Sequence, residues 1–162
     1  MQTFVDNTFD IGPLRFGYSH DLVELPEGKP YLERWILWLG ITLRIHKFWR
    51  GDDDRAPHDH PWAFITIPLN RNYTERVFEF YAFEDHRKYF WRKREAAVRR
   101  WRPHFRPSTH KHIVVMPRNA PPVWTFVVTG LRKQPWGFWP APDTWISWRK
   151  WPASKAQENR PW

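Results

Sequence analysis

Short runs of β-branched and aromatic residues, each stopped by proline, glycine or an asparagine turn, confine this chain to strands joined by tight connections. Residues 34–50 are long enough for two strands with a bend at Gly40. Residues 60–69 read as a strand that stops near Pro68 and the Asn70-Arg71-Asn72 turn. Further strands are expected over 74–83, 87–102, 110–116 (ending at Pro117) and 123–129 (ending at Gly130), and an aromatic segment covers 136–148. A helix over 31–39 competes, because Leu32, Trp35, Ile36 and Leu39 also fit helical spacing. No repeat of solenoid type is present. Many short strands without crossover helices predict an all-β, antiparallel sandwich or barrel.

The chain's 162 residues fit one domain, expected over 1–151, with 152–162 as a flexible tail. The 13 Trp, 12 Phe and 5 Tyr supply ample apolar surface, so the mean hydropathy of −0.74 reflects abundant Arg and Lys rather than disorder. Cysteine is absent, which removes disulfides, thiolate metal sites and a cysteine nucleophile. Any metal must therefore use nitrogen and oxygen ligands. Residues 1–10 show no leader pattern, and no apolar run is long enough to cross a membrane. A soluble, cytoplasmic protein is expected.

His58-Asp59-His60-Pro61-Trp62 places two imidazoles two residues apart at the mouth of a strand. Side chains alternate along a strand, so His58 and His60 point one way and Asp59 the other. Such a pair chelates a divalent ion when a third ligand arrives from elsewhere, and His110 and His112 repeat the spacing. The competing reading makes these imidazoles polar residues at strand ends, bonded to backbone or to Asp59. Pro61 removes a backbone donor, which puts this strand at an edge or at its beginning. Trp62 and Phe64 share the face of His60, as pocket wall or as core.

A family resemblance extends over most of the chain. The segments Tyr31-Leu32-Glu33-Arg34-Trp35, Arg44-Ile45-His46-Lys47-Phe48, Asp52-Asp53-Asp54-Arg55, His58–Trp62, Tyr73-Thr74-Glu75, Trp124–Gly130 and Trp136-Gly137-Phe138 resemble small cupin-like proteins of bacteria and their phages. The resemblance implies a double-stranded β-helix, the cupin jelly-roll barrel, and a cytoplasmic location, that of the host if the chain is phage-encoded. In the general cupin pattern a glycine stands upstream of His-x-His, where this chain has Gly51. A second motif, Pro-x-Gly-x-x-His, is similar to Pro107-Ser108-Thr109-His110-Lys111-His112 and selects His112 as the third ligand, leaving His110 a supporting role. The family's glutamate ligand falls at Phe64 or Ile65, Thr109 replaces a glycine, and Met116 stands at the usual asparagine. What remains is a three-histidine site, unless His46, Glu75 or Glu79 reaches in. It is similar to the site of thiol dioxygenases in the superfamily, and it also fits a cupin that has lost its metal.

A three-imidazole site leaves a divalent ion, Fe, Mn, Ni or Zn, with its full charge and so favours a small anionic substrate. Arg44, His46 and Tyr73, beside the motifs, are the candidate substrate-binding residues, and Asp59 is the candidate to orient a ligand histidine or to pair an arginine. The formal charge of +9 is concentrated between Arg87 and Arg106, where basic residues alternate with Tyr89, Phe90, Trp91, Trp101 and Phe105. Arg92, Arg94, Arg99 and Arg100 are candidates for binding an anion, either a phosphorylated ligand or single-stranded nucleic acid. A solvated, aggregation-resistant edge is the plainer reading. Asp52-Asp53-Asp54 lacks calcium-loop spacing and reads as a turn. Ser108 has no nucleophile elbow, and no phosphate-cradling glycine motif occurs. Two functions stay open: a metal-dependent oxygenase or isomerase on a small anion, and a non-catalytic scaffold for nucleic acid, a phosphorylated ligand or a protein. The wealth of tryptophan and the cupin likeness also point to a homodimer.

Overall fold

The computed structural model describes residues 2–24, 28–52, 56–82 and 89–151, and their regular structure is entirely extended. A long hairpin of β1 (Gln2–Ile11) and β2 (Leu14–Glu24), absent from the sequence expectations, opens the chain. Next come β3 (Pro30–Leu39) and β4 (Ile41–Phe48), joined at Gly40. Its φ of 77° lies in the left-handed region that favours glycine. The competing helix over 31–39 is ruled out, because Trp35 is paired with His20 on one side and Ile45 on the other. The chain continues through β5 (Phe64–Pro68), β6 (Tyr73–Ala82), β7 (Tyr89–Val98), β8 (His104–Arg106), β9 (Lys111–Val115) and β10 (Val123–Thr129). It closes with a hairpin of β11 (Gly137–Ala141) and β12 (Thr144–Ser147).

Two boundaries differ from expectation. The strand expected from residue 60 begins only at Phe64, because residues 57–60 bond to β9 and β11 instead. The strand expected over 87–102 ends at Val98, where the chain turns through Trp101 at a φ of 60°. The expected tail, 152–162, lies outside the described residues.

Pairing is antiparallel throughout. One sheet runs β1-β2-β3-β4-β10-β5-β8, and the other begins β7-β6-β9. His58 forms bridges to both His112 of β9 and Phe138 of β11, so it links the β11–β12 hairpin to the second sheet. The result is an all-β double-stranded β-helix of jelly-roll type. Alternation sets its interior: along β10, Val123, Thr125, Val127 and Thr129 are buried while the residues between them are not. Tyr73, Val98, Val114, Met116 and Val123, with Phe48 against them, fill one region as apolar core. Each fully buried side chain of this kind, such as Val98, contributes roughly 1.5–3 kcal/mol. Elsewhere the sheets separate enough to leave a cavity of about 240 Å³.

Candidate metal centre

The segment 57–60 is held from both sides by backbone hydrogen bonds. The His58 and His112 amides each donate to the other's carbonyl at 3.2 Å, the Asp59 amide donates to Gly137 O at 3.2 Å, and Trp139 donates to Pro57 O at 2.7 Å. The Gln134 side-chain amide donates to both His60 O (3.0 Å) and Ser108 O (3.1 Å). With its backbone extended and fixed, the segment sends His58 and His60 toward the cavity and Asp59 the opposite way. Asp59 serves as a clamp on β11. Its Oδ1 accepts from the Gly137 amide at 2.8 Å and its Oδ2 from the Trp139 indole at 3.0 Å. Gly137 is required there, since a Cβ would lie 2.2 Å from Ile146 O.

His112 arrives from β9 to meet the pair. The three ring centroids are 4.9–5.1 Å apart, and Nε2 of His60 lies 2.9 Å from Nε2 of His112. One nitrogen from each ring falls within 4.8 Å of the other two, a donor set that suits one divalent ion. Burial, and then the neighbouring histidines, hold the His60 pKa well below its usual value, so its lone pair is available.

Carboxylates stand behind two of the rings. Asp52, fully buried, places Oδ2 3.5 Å from Nδ1 of His58 and receives the Tyr31 hydroxyl at 3.5 Å. Glu75, also fully buried, has Oε1 3.3 Å from Nδ1 of His112, a charge contact rather than a well-directed hydrogen bond. Its Oε2 accepts from Arg106 Nε at 2.8 Å and meets His110 Nε2 at 3.3 Å. Burial pushes the Glu75 carboxyl up, but His112, His110 and Arg106 together outweigh it and keep the group ionised. A carboxylate facing Nδ1 favours the proton there and leaves Nε2 for the shared centre. Glu75, His110 and His112 also form a metal-capable group, but the Arg106 guanidinium already supplies the positive charge beside Glu75.

Across the cavity lie Arg44 and His46 of β4, with Tyr73 of β6 also lining it. Arg44 is buried. Its guanidinium sits 4.4 Å from the Trp62 ring and 5.6 Å from that of Trp38, and its Nε donates to Thr42 Oγ1 at 2.7 Å. Burial, reinforced by Arg34, lowers the Arg44 pKa to about 9. Burial likewise keeps His46 neutral, while the Tyr73 phenol is held protonated by burial and by Glu75, whose Oε1 lies 3.5 Å from it. Trp62 and Phe64 line the same space, Phe64 with its ring 4.6 Å from that of His60.

The structure therefore gathers His58, His60, His112, Arg44, His46 and Tyr73 around one cavity. His110 turns to Glu75 instead, and Asp59 to β11. Arg92, Arg94, Arg99 and Arg100 are exposed on edge strand β7 and the turn after it, away from the cavity. Arg94 pairs with Glu79 at 3.2 Å, and Arg100 donates to Asn70 O at 3.3 Å. Glu79 is thus engaged by Arg94, while Glu75 reaches the histidines. Asp52 is the residue that sequence reading missed. Its place in an aspartate run indicates a turn, and nothing local marks it as buried. Asp53 and Asp54 lie outside the described residues.

No family model matches the chain, and no curated protein matches it in sequence. Solved structures do resemble it. An Fe(II) form of HppE with the alternative substrate (S)-1-HPP aligns at a TM-score of 0.49 and 9% identity, over 68% of this chain and 56% of that one. Hydroxypropylphosphonic acid epoxidase from S. wedmorenis aligns at 0.47 and 9% identity, over 68% and 55%. Vicilin from Corylus avellana (hazelnut) aligns at 0.46 and 9% identity, over 66% and 30%. The chain spans little more than half the length of the first two and under a third of the last.

Proposed function

We propose that this chain is a cupin-like protein that holds one divalent metal ion through His58, His60 and His112 and acts on a small anionic substrate as an oxygenase or isomerase. The observation that carries the reading is the convergence of three imidazoles, from two separate segments, on the wall of a cavity that is also lined by a buried cation. A divalent ion held by His58, His60 and His112 would supply Lewis-acid chemistry at the cavity wall. Neutral nitrogen donors suit iron, manganese, nickel and zinc alike, so the donor set names the class of metal and not the element.

The protein's own groups perform the rest. Arg44 draws in the negative end of the substrate, and Trp62 and Trp38 hold the guanidinium in place. His46 offers a neutral ring, and protonated Tyr73 contributes a hydroxyl. Phe64, Trp136 and Phe138 line the cavity beside the histidines and give that part of it an apolar wall. Asp52 and Glu75 stand beside Nδ1 of two of the imidazoles, where a carboxylate favours the tautomer that presents Nε2.

Loading the purified, untagged protein with Co(II) tests the proposal. A visible spectrum typical of a low-coordinate site, altered by small carboxylates and lost in the His58→Ala/His112→Ala variant, is the expected result. A spectrum indistinguishable from aquated Co(II) in the wild type contradicts it.

A homodimer belongs to the same proposal. Tyr18, Leu37, Leu39 and Ile41 share the outer face of the large sheet through the Tyr18–Leu37 and Leu39–Ile41 pairs, and Leu37 and Leu39 are 43% and 50% exposed. Ile65 and Phe105, paired on β5 and β8, extend the apolar surface. A second copy of the same face matches it in chemistry.

A further inference from the structure

We infer that Arg44, His46 and Thr125 form a carboxylate subsite, so that the substrate is a small monocarboxylic acid whose opposite end faces the three histidines. This inference rests on the proposed function for the role of the histidines, but the subsite stands on observations of its own.

Three buried polar atoms on this wall have no hydrogen-bond partner: Nη2 of Arg44, Nε2 of His46 and Oγ1 of Thr125. They are close neighbours in the sheet. Thr125 is the direct cross-strand partner of His46, and Arg44 stands two residues before His46 on the same face of β4. All three residues line the cavity. Buried polar groups in folded proteins are almost always paired. A cluster of three orphaned groups on adjacent strands marks the place of an absent partner, and each of the three can donate a hydrogen bond.

Charge specifies the partner's class. Among the described residues lining the cavity, the fixed cations are Arg34 and Arg44. Arg34 is already bound to Asp21, with Nε 2.6 Å from Oδ1, while Arg44 has no carboxylate contact among those resolved and bonds through Nε to the Thr42 hydroxyl. Thr42 is fixed in turn by Thr129 at 2.7 Å. The two tryptophans hold the guanidinium plane, leaving its outer amino edge for a ligand. A positive charge with no direct ion pair among the described residues, beside a neutral imidazole and a hydroxyl, matches a planar monoanion with two acceptor oxygens. A phosphate dianion would need a second cation. The cavity, at about 240 Å³, sets the scale of the acid.

The test uses butyrate and inorganic phosphate as probes, titrated calorimetrically into the full-length protein in both metal-free and Co(II)-loaded forms. Butyrate is expected to bind the wild type at least about tenfold more tightly than phosphate. Arg44→Met is expected to weaken butyrate on the order of 10- to 100-fold without changing metal content. Thr125→Val removes one hydroxyl at nearly constant shape and guards against a misfolded Arg44 variant; it should weaken butyrate about three- to tenfold. Equal affinity for phosphate, no butyrate binding, or unchanged butyrate affinity in a folded Thr125→Val variant overturns the subsite even if Co(II) binds normally. Butyrate binding with this variant pattern in a protein that fails to take up Co(II) upholds the subsite and removes the metal proposal instead.

Discussion

Glu75 shows how one residue serves both stability and site geometry. It is sealed from water, yet ionised, because Arg106 and two histidines surround it. Glu75→Gln leaves Arg106 without its partner, and we predict a loss of about 3 kcal/mol, roughly 6–12 °C in Tm. The same substitution should weaken divalent-ion affinity about 10- to 100-fold, as should Asp52→Asn behind His58. Calorimetric unfolding and metal titration check both effects, and unchanged affinity in both variants would show that the carboxylates do not position the rings. His46 makes stability depend on pH. Burial keeps its folded pKa well below the usual 6.5, so near and below that pH the unfolded chain binds a proton that the folded one refuses. Stability is then full above about pH 6.5 and falls as the pH is lowered toward the folded pKa. The urea midpoint of metal-free protein should drop between pH 7.5 and 5.5, and His46→Gln should make that drop shallower, the remainder coming from His60 and His110, whose pKa values burial also lowers; parallel profiles would sink the assignment.

At the scale of elements, residues 57–60 act as an unassigned strand between β9 and β11, and Asp59 fastens them to the β11–β12 hairpin. Asp59→Ala removes two hydrogen bonds to a buried carboxylate. We predict a cost of about 3 kcal/mol and faster amide exchange at Gly137, with exchange across β10 unchanged. Uniform acceleration across both would mean that Asp59 supports the whole fold rather than the hairpin. This segment also shows what the sequence could convey. The shared direction of His58 and His60 follows from strand alternation alone, and the turn at Gly40 and the limits of β10 follow from local residue chemistry. Glu75 was legible as a charged residue in step with Tyr73 and Val77 on the inward face of β6. Asp52 was not, because its burial comes from Tyr31 and His58, contacts distant in sequence. The β1–β2 hairpin escaped notice for a related reason: its strands are paired along their length, but β1 is mostly exposed and β2 mostly half-buried, without a sharp apolar alternation. The basic stretch was visible by composition, but only the pairing of β7 with β6 shows Glu79 beside Arg94.

The whole molecule presents two faces of the large sheet with different tasks. The inner one carries Arg44, His46 and Thr125, and the outer one carries exposed Leu37, Leu39 and Ile41. If two copies pair through the outer face, sedimentation should give twice the chain mass, and Leu37→Lys/Leu39→Lys should give the monomer with its metal affinity unchanged. A wild-type monomer at micromolar concentration would dismiss the dimer. No helix among the described residues is long and apolar enough to cross a membrane. The metal content of untagged protein, measured by mass spectrometry after loading and desalting, bears most directly on the inner face. The account predicts one divalent ion per wild-type chain and almost none in a folded His60→Ala/His112→Ala variant. A folded wild-type protein that retains no ion, or a variant that retains as much as the wild type, would contradict it.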